Sequence, residues 1–369
     1  MTLLSKKKIQ YIFKSAGYQI FKLLYGEVSG VIKKNQDKKY VINKINLGEK
    51  LTYAIYKINS GRLYTDTIHD TAFILKNKII VGPSFQIRET NYADINDNIV
   101  FTKGTPRLLK KINGSVLSLL TGGAGNNNYW HWLLDVLPRI KIFSCLDSLN
   151  NIDFFLAPSI KENFQRETLK ALNIPLGKVI SSQEYRHIKA DMIIATDHPY
   201  VMDKNASVGI QNIPFWIVDW LYLTFTKNLN LKELNFPKKF YIDRSDSKAN
   251  TKDLRKITNE TEVKKILIEK NYKILNLSKF TFLDQVKLFY NADSIVGLHG
   301  GGFANLVFSK KNTKVLELRP DTSGIMISNI AKKKELDYSN ISVIPHAHHS
   351  NSQYGHILIP LDELKKKLV

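Results

Sequence analysis

From residue 239 to residue 334 short apolar runs alternate with longer amphipathic ones, and no other feature of the chain restricts its fold as much. The runs 239–243, 272–277, 293–297 and 314–318 are rich in Ile, Val, Leu and aromatic residues and too short for helices. Between them, 259–270, 281–291 and 323–334 carry helical spacing, with a glycine turn and a short helix at 302–308. Alternating strands and helices cover both faces of a parallel sheet, so this stretch reads as a doubly wound α/β domain. Ligands of such domains bind outside the carboxyl ends of the strands.

The upstream half is less regular. TAFILKNKIIVG (71–82) reads as a hairpin turning at Lys76, Asn77 and Lys78. A strand at 115–121, a Gly/Asn loop at 122–128 and a helix from Tyr129 to Cys145 follow. A strand at 152–158, a helix at 162–173 and the strands KVISS and DMIIAT extend the α/β pattern. The polar stretch 228–239, which carries Pro237, follows a Trp-rich helix (213–227) and sets the expected boundary. The expected organisation is thus a basic segment 1–28, an N-terminal α/β domain 29–232, a C-terminal Rossmann-like domain 233–339, and a tail 340–369 returning toward the first domain.

Composition narrows the setting. With 43% hydrophobic residues the chain builds real cores, and a single cysteine, Cys145, leaves no internal disulfide or cysteine-rich zinc cage. Lys+Arg of 54 against Asp+Glu of 33 gives +21, a field that favours anionic lipid, nucleic acid or a phosphate-rich substrate. The lysines are scattered rather than interleaved with aromatics, which argues against nucleic acid. No run approaches the roughly 20 apolar residues of a membrane span, and no signal peptide is read at the start. Residues 6–25 alternate lysines with Ile9, Ile12, Phe13, Ile20, Phe21, Leu23 and Leu24, giving either an interfacial helix or one packed on its own domain. A cytoplasmic protein, peripheral on the anionic inner face of the plasma membrane, is expected.

Four groups of residues fall where an α/β fold places its chemistry. In SIVGLHGGGFANLVF (294–308) a strand runs into Gly300, Gly301 and Gly302, and a helix opens with Phe303, Ala304 and Asn305. Such a turn lets backbone N–H groups approach an anion, with His299 placed to donate to a phosphate, or it serves packing alone. In the stretch 240–263 Arg244 follows a strand end on the same edge, as a diphosphate clamp or a surface ion pair. Asn259 and Glu260 begin the next helix, where Glu260 is equally a carboxylate favoured by the helix dipole. Glu317 in KVLELRP is placed to hold a ribose diol or to pair with Arg319. The fourth group, NNNYWHWLLDVLPRI (126–140), sets His131 and Asp135 four apart on one helix face, as a general-base unit or a structural pair. Pro138 should bend or end that helix.

Taken in order, NYWHWLLDVLPRI, YIDR with ITNETEV, and VGLHGGGFANLVF with KVLELRP resemble the motifs of glycosyltransferase family 61, over about residues 115–335. The resemblance implies a GT-B-like α/β fold, two Rossmann-like domains facing a central cleft, a nucleotide-sugar donor and inversion at the anomeric carbon. It implies Arg244, His299, Gly300, Gly302, Asn305 and Glu317 around the donor, to which Gly301, Asn259 and Glu260 are added from the same edge. It sets His131 and Asp135 near the acceptor, Asp135 being the first choice for the base and His131 its orienter or the base itself. The chain contains no Asp-x-Asp triplet, so neither a metal nor another cofactor is expected, and His346, His348 and His349 read as a polar tail rather than a zinc site. The expected acceptor is a saccharide or lipid-linked saccharide of a bacterial capsule or lipopolysaccharide. The alternative is a non-catalytic partner subunit of a polysaccharide assembly complex, against which the intact His131, Asp135, Arg244 and Glu317 speak.

Overall fold

Two sheets organise the chain, one in each of two units, Met1–Gly209 and Ile210–Val369. The computed structural model describes residues 6–33, 37–48, 50–65, 70–84, 94–120, 128–200, 206–227, 229, 235–245, 255–346 and 355–368.

The first unit begins with helix α1 (Lys6–Tyr25). Its sheet contains β1 (Val31–Ile32), β2 (Tyr40–Leu47), β3 (Leu51–Asn59), β4 (Arg62–Thr65), β5 (Thr71–Leu75), β6 (Lys78–Ile80), β7 (Lys110–Ser118), β8 (Phe154–Ala157), β9 (Val179–Ser181) and β10 (His187–Thr196). The order is β1-β6-β5-β4-β10-β7-β8-β9, with β3 paired to β10 and β2 to β3. β10-β7-β8-β9 run parallel, with the 129–144 helix between β7 and β8, and Asn163–Ala171 between β8 and β9. β3 and β4 pair antiparallel with β10. The expectation of two Rossmann-like domains is therefore corrected here. Only the parallel block of this unit has that character, because the hairpins upstream of residue 81 pair locally rather than through crossover helices. The β5–β6 turn falls where the sequence placed it, with Lys76 and Asn77 at φ of 49° and 57°, the two left-handed positions of a tight hairpin. Tyr56, Leu63, Phe73, Val116, Leu156 and Ile193 anchor the core of this sheet.

In the second unit β11 (Lys239–Asp243), β12 (Lys273–Asn276), β13 (Ser294–Leu298), β14 (Lys314–Pro320) and β15 (Asp337–Val343) form an all-parallel sheet in the order β12-β11-β13-β14-β15. Both faces are covered, as parallel sheets require. On one face Tyr241, Val296, Leu316 and Leu318 pack with Val263, Ile266 and Leu267 of helix Glu260–Glu269 and with Ile357, Ile359 and Leu364 of the tail. On the other, the Phe240 ring meets Phe289 at 5.2 Å, and Phe282 lies 4.8 Å from Phe225 and 5.8 Å from Phe308.

That second cluster explains where the units divide. Helix Phe215–Thr226 buries Trp216, Ile217, Leu221 and Phe225, and through Phe225 it belongs to the second unit. The division thus lies upstream of the polar 228–239 stretch, which is a connection inside the unit. The tail is a second correction. Rather than returning to the first domain, it bridges Ile357 to Ile257 and ends in helix Leu361–Lys367, whose Leu364 is buried in the second unit's core.

Candidate active site

The 129–144 helix runs through Pro138 without ending. The Asn128 side chain caps its start by accepting from the Trp130 backbone N–H at 2.9 Å. Of the expected 122–128 loop, only Asn128 lies among the described residues. Trp132–Val136 form a π-helical segment, closed by Leu137 N–H on the Trp132 carbonyl. The wider turn absorbs the residue whose N–H is missing, and such segments recur at functional positions. Along it, His131 Nδ1 lies 2.8 Å from Asp135 Oδ2. Asp135 Oδ1 accepts from Tyr200 Oη, which stands just beyond the carboxyl end of β10. Asp135 is fully buried with both oxygens engaged, whereas the His131 side chain is 14% exposed. Burial first, then the Asp135 charge, holds the Tyr200 hydroxyl far above its usual titration range, so it serves as a donor. One turn on, buried Arg139 donates from Nη1 to the carbonyls of Thr196 (3.1 Å) and Asp197 (3.4 Å). Burial pulls it down to about 10, and Asp135 counters that shift.

In the second unit the sheet order reverses between β11 and β13. That is the switch point at which doubly wound folds open a crevice. Arg244 follows the last residue of β11 and His299 the last of β13. Arg244 Nη1 donates to the His299 carbonyl at 2.7 Å, so the guanidinium spans the crevice. The turn bearing it is fixed by Ser245 N–H on Asp243 Oδ1 (2.9 Å) and by Lys264 beside Asp243 (3.1 Å). Its guanidinium lies flat over Gly300, where a Cβ would meet Nη1 at 2.9 Å and Cζ at 3.0 Å. Glycine is needed there for this approach. Its φ of 169° is ordinary extended backbone.

Behind that turn, His299 Nδ1 bonds Glu317 Oε1, and Tyr338 Oη donates to Glu317 Oε2. Glu317 is fully buried, with both oxygens taken. Burial pushes His299 below the ordinary imidazole range, more than Glu317 raises it. Arg255 and Arg319 add two further buried guanidiniums. Arg255 Nη1 donates to Ser323 Oγ at 3.3 Å, and Arg319 donates to the Ser323 carbonyl. Burial first, then Arg244 and Arg319 against the opposing charge of Glu317, lower Arg255 to about 10.

The structure redistributes several expected roles. Glu317 is fully buried behind His299 and orients it, with Tyr338 on its other oxygen. Asn259 has both amide atoms on Ile359, at 2.9 and 3.0 Å, and pins the tail. Glu260 accepts from Tyr241 Oη (2.9 Å) and pairs with Lys264 (3.4 Å) at a helix start. Asn305 is buried and ties the glycine turn to Gln285 (3.0 Å). The 301–308 segment is a 3-10 helix, its tighter turn opened by Gly301 and Gly302. A Cβ on Gly302 would meet Leu277 at 3.0 Å. His346 is exposed, while His348 and His349 lie outside the described residues. Among the described residues no three His, Cys, Asp or Glu side chains converge as a metal site requires. Tyr200, Tyr338, Arg139 and Arg255 were not expected. The only sequence sign for Tyr200 is its place just past a strand end.

Residues 129–316 match the family model described as Glycosyltransferase 61. The chain belongs to glycosyltransferase family 61. The match opens on the helix of His131 and Asp135 and closes inside β14, one residue before Glu317, so it includes the whole first cluster and Arg244, Arg255 and His299 of the second. No curated protein matches the chain. As a family 61 glycosyltransferase it transfers a sugar from a nucleotide-sugar donor to an acceptor.

Proposed function

We propose that this glycosyltransferase inverts the anomeric carbon without a metal, and that His131 rather than Asp135 is its general base. The observation that carries the assignment is the burial of Asp135. Its carboxylate is fully buried, with His131 on one oxygen and Tyr200 on the other, while the imidazole edge reaches solvent. Asp135 fixes Nδ1–H, leaving Nε2 to take a proton, and its charge stabilises the imidazolium that results. In the transfer the acceptor hydroxyl oxygen bonds the anomeric carbon, its proton passes to His131, and the bond to the nucleoside diphosphate breaks.

Arg244, backed by Arg255 and Arg319, holds the departing diphosphate at the β11/β13 crevice. Three guanidiniums against one carboxylate supply the positive charge that other transferases take from a divalent ion. The two units are the two domains of a GT-B transferase. The acceptor is a hydroxyl of a bacterial surface polysaccharide or of its lipid-linked precursor, met on the cytoplasmic side.

Transfer assays with candidate nucleotide sugars, followed by linkage analysis of the product, test this. His131→Ala lowers kcat by about 10²–10⁴, Asp135→Asn lowers it less, and chelation leaves the rate unchanged. A full rate in His131→Ala, a retained anomer, or activity abolished by chelator each overturns the corresponding part.

A further inference from the structure

Helix α1 turns its apolar side to solvent. Its last turn is tied down by the opposite side. Tyr25 Oη accepts from the Leu109 backbone N–H (3.0 Å), its carbonyl accepts from Arg62 Nη1 (3.2 Å), and its ring meets His187 edge-on at 4.9 Å. Lys22 packs over Gly104, where a Cβ would lie 2.9 Å from its stem. Residues 17, 18, 21, 22 and 25 share one side of the helix and are partly covered. Ile20, Leu23 and Leu24 are 56%, 86% and 63% exposed. With Ala16 they lie on the other side, and the sequence continues that spacing upstream through Phe13, Ile12 and Ile9. A helix packed on its own unit by its apolar stripe would show the reverse.

Every charge in α1 is positive, from Lys6, Lys7, Lys8, Lys14 and Lys22. No helix among the described residues is long and apolar enough to cross a membrane. An apolar stripe on a helix whose only charges are lysines matches the boundary layer of an anionic bilayer, where acyl chains lie beneath phosphates. We propose that α1 is a foot that lays the enzyme on an anionic lipid surface, with the Ile20–Leu23–Leu24 side in the bilayer and the body held above it by Tyr25. The attachment is independent of the transfer chemistry.

Full-length protein is sedimented with vesicles of phosphatidylcholine alone, or of equal parts phosphatidylcholine and phosphatidylglycerol. Binding is expected to the anionic vesicles and to weaken with added salt. Exchanging Lys6, Lys7 and Lys8 for Ser lowers the partition coefficient by about fivefold per lysine. Exchanging Ile20, Leu23 and Leu24 for Ser lowers it by about tenfold per side chain. That triple variant keeps the parent's unfolding temperature, since the three side chains project into solvent. Equal binding to both vesicle types, undiminished binding by either triple variant, or a dimer in light scattering that the Ile20/Leu23/Leu24 variant abolishes would each overturn the proposal.

Discussion

Each unit contains a histidine, a fully buried carboxylate and a tyrosine linked in the same way: His131–Asp135–Tyr200 in the first and His299–Glu317–Tyr338 in the second. In both, the carboxylate spends one oxygen on histidine Nδ1 and the other on a phenol. Their surroundings differ. Asp135 shares one buried guanidinium, Arg139, with Asp197, so the first site has no surplus of positive charge. Around Glu317 stand Arg244, Arg255 and Arg319, leaving a surplus of positive charge over a single carboxylate. An oriented imidazole without that surplus is suited to moving a proton. The same imidazole among surplus guanidiniums is suited to binding an anion. In the proposed mechanism the charge around each relay sets the two jobs apart, since the relay itself is repeated.

The sharpest way to break this contrast is to remove the surplus. Arg244→Ala is expected to lower kcat/KM by about 10²-fold, the cost of losing a charge-assisted contact to a developing diphosphate. Arg244→Lys recovers little of it, because an ammonium cannot reproduce the paired donors that bridge His299 and a phosphate. Steady-state kinetics against donor concentration decide the matter, and a Lys variant at parental efficiency would reduce Arg244 to a point charge.

Acid acts on the first unit by a smaller margin. Burial lowers His187 to about 4 and takes His198 well below its usual value, so the first unit holds both neutral. Because the folded pKa lies below the unfolded one, the unfolded chain takes up the proton first as pH falls below 6.5. Stability is lost progressively until pH nears about 4. At pH 5, His187 alone should cost about 2 kcal/mol. His187→Phe keeps a ring against Tyr25 and Tyr64 and should remove that share of the difference between urea midpoints at pH 7 and pH 5. An unchanged difference would mean that His187 is protonated in the folded chain.

Much of this was legible in the sequence where the physics is local. Four strands of the second unit, β11 to β14, read as short apolar runs, and the helices between them follow their spacing closely, whereas the half-exposed edge strand β15, DYSNISV, carries no such run. His131 and Asp135 were found because four residues on a helix bring them together. Tyr200 lies 65 residues from Asp135 and Tyr338 lies 21 from Glu317, and a single phenol at such a distance leaves no periodic trace. Sequence shows Glu317 as a carboxylate near a strand end and does not show its burial behind His299. The boundary was misplaced because polarity marks any exposed connection, whereas Phe225 commits its helix to the second core through contacts with Phe282 and Phe308.

The two tyrosines test the division of labour directly. Tyr200→Phe strips a donor from a buried carboxylate and should lower kcat by about tenfold. Left with one partner, Asp135 grips the His131 proton harder, so the acidic limb of the kcat profile moves to higher pH. Tyr338→Phe makes the same deletion beside Glu317 and should instead raise the donor KM by a similar factor. If both variants changed the same parameter, the relays would not be doing different work.

The smallest effect is expected from Gly300→Ala. Its backbone conformation suits any residue, so the penalty is steric alone. The added Cβ meets Arg244 Nη1 at 2.9 Å and Cζ at 3.0 Å, and the guanidinium must shift by a few tenths of an ångström, stretching its 2.7 Å bond to the His299 carbonyl. A displaced clamp still carries its charge, so the donor KM should rise only about threefold to tenfold, with kcat nearly unchanged. Paired with Arg244→Ala, the variant separates the charge of the guanidinium from its position. A donor KM unmoved by the methyl group would show that charge suffices, and the surplus around Glu317 rather than the crevice geometry would then distinguish the second unit from the first.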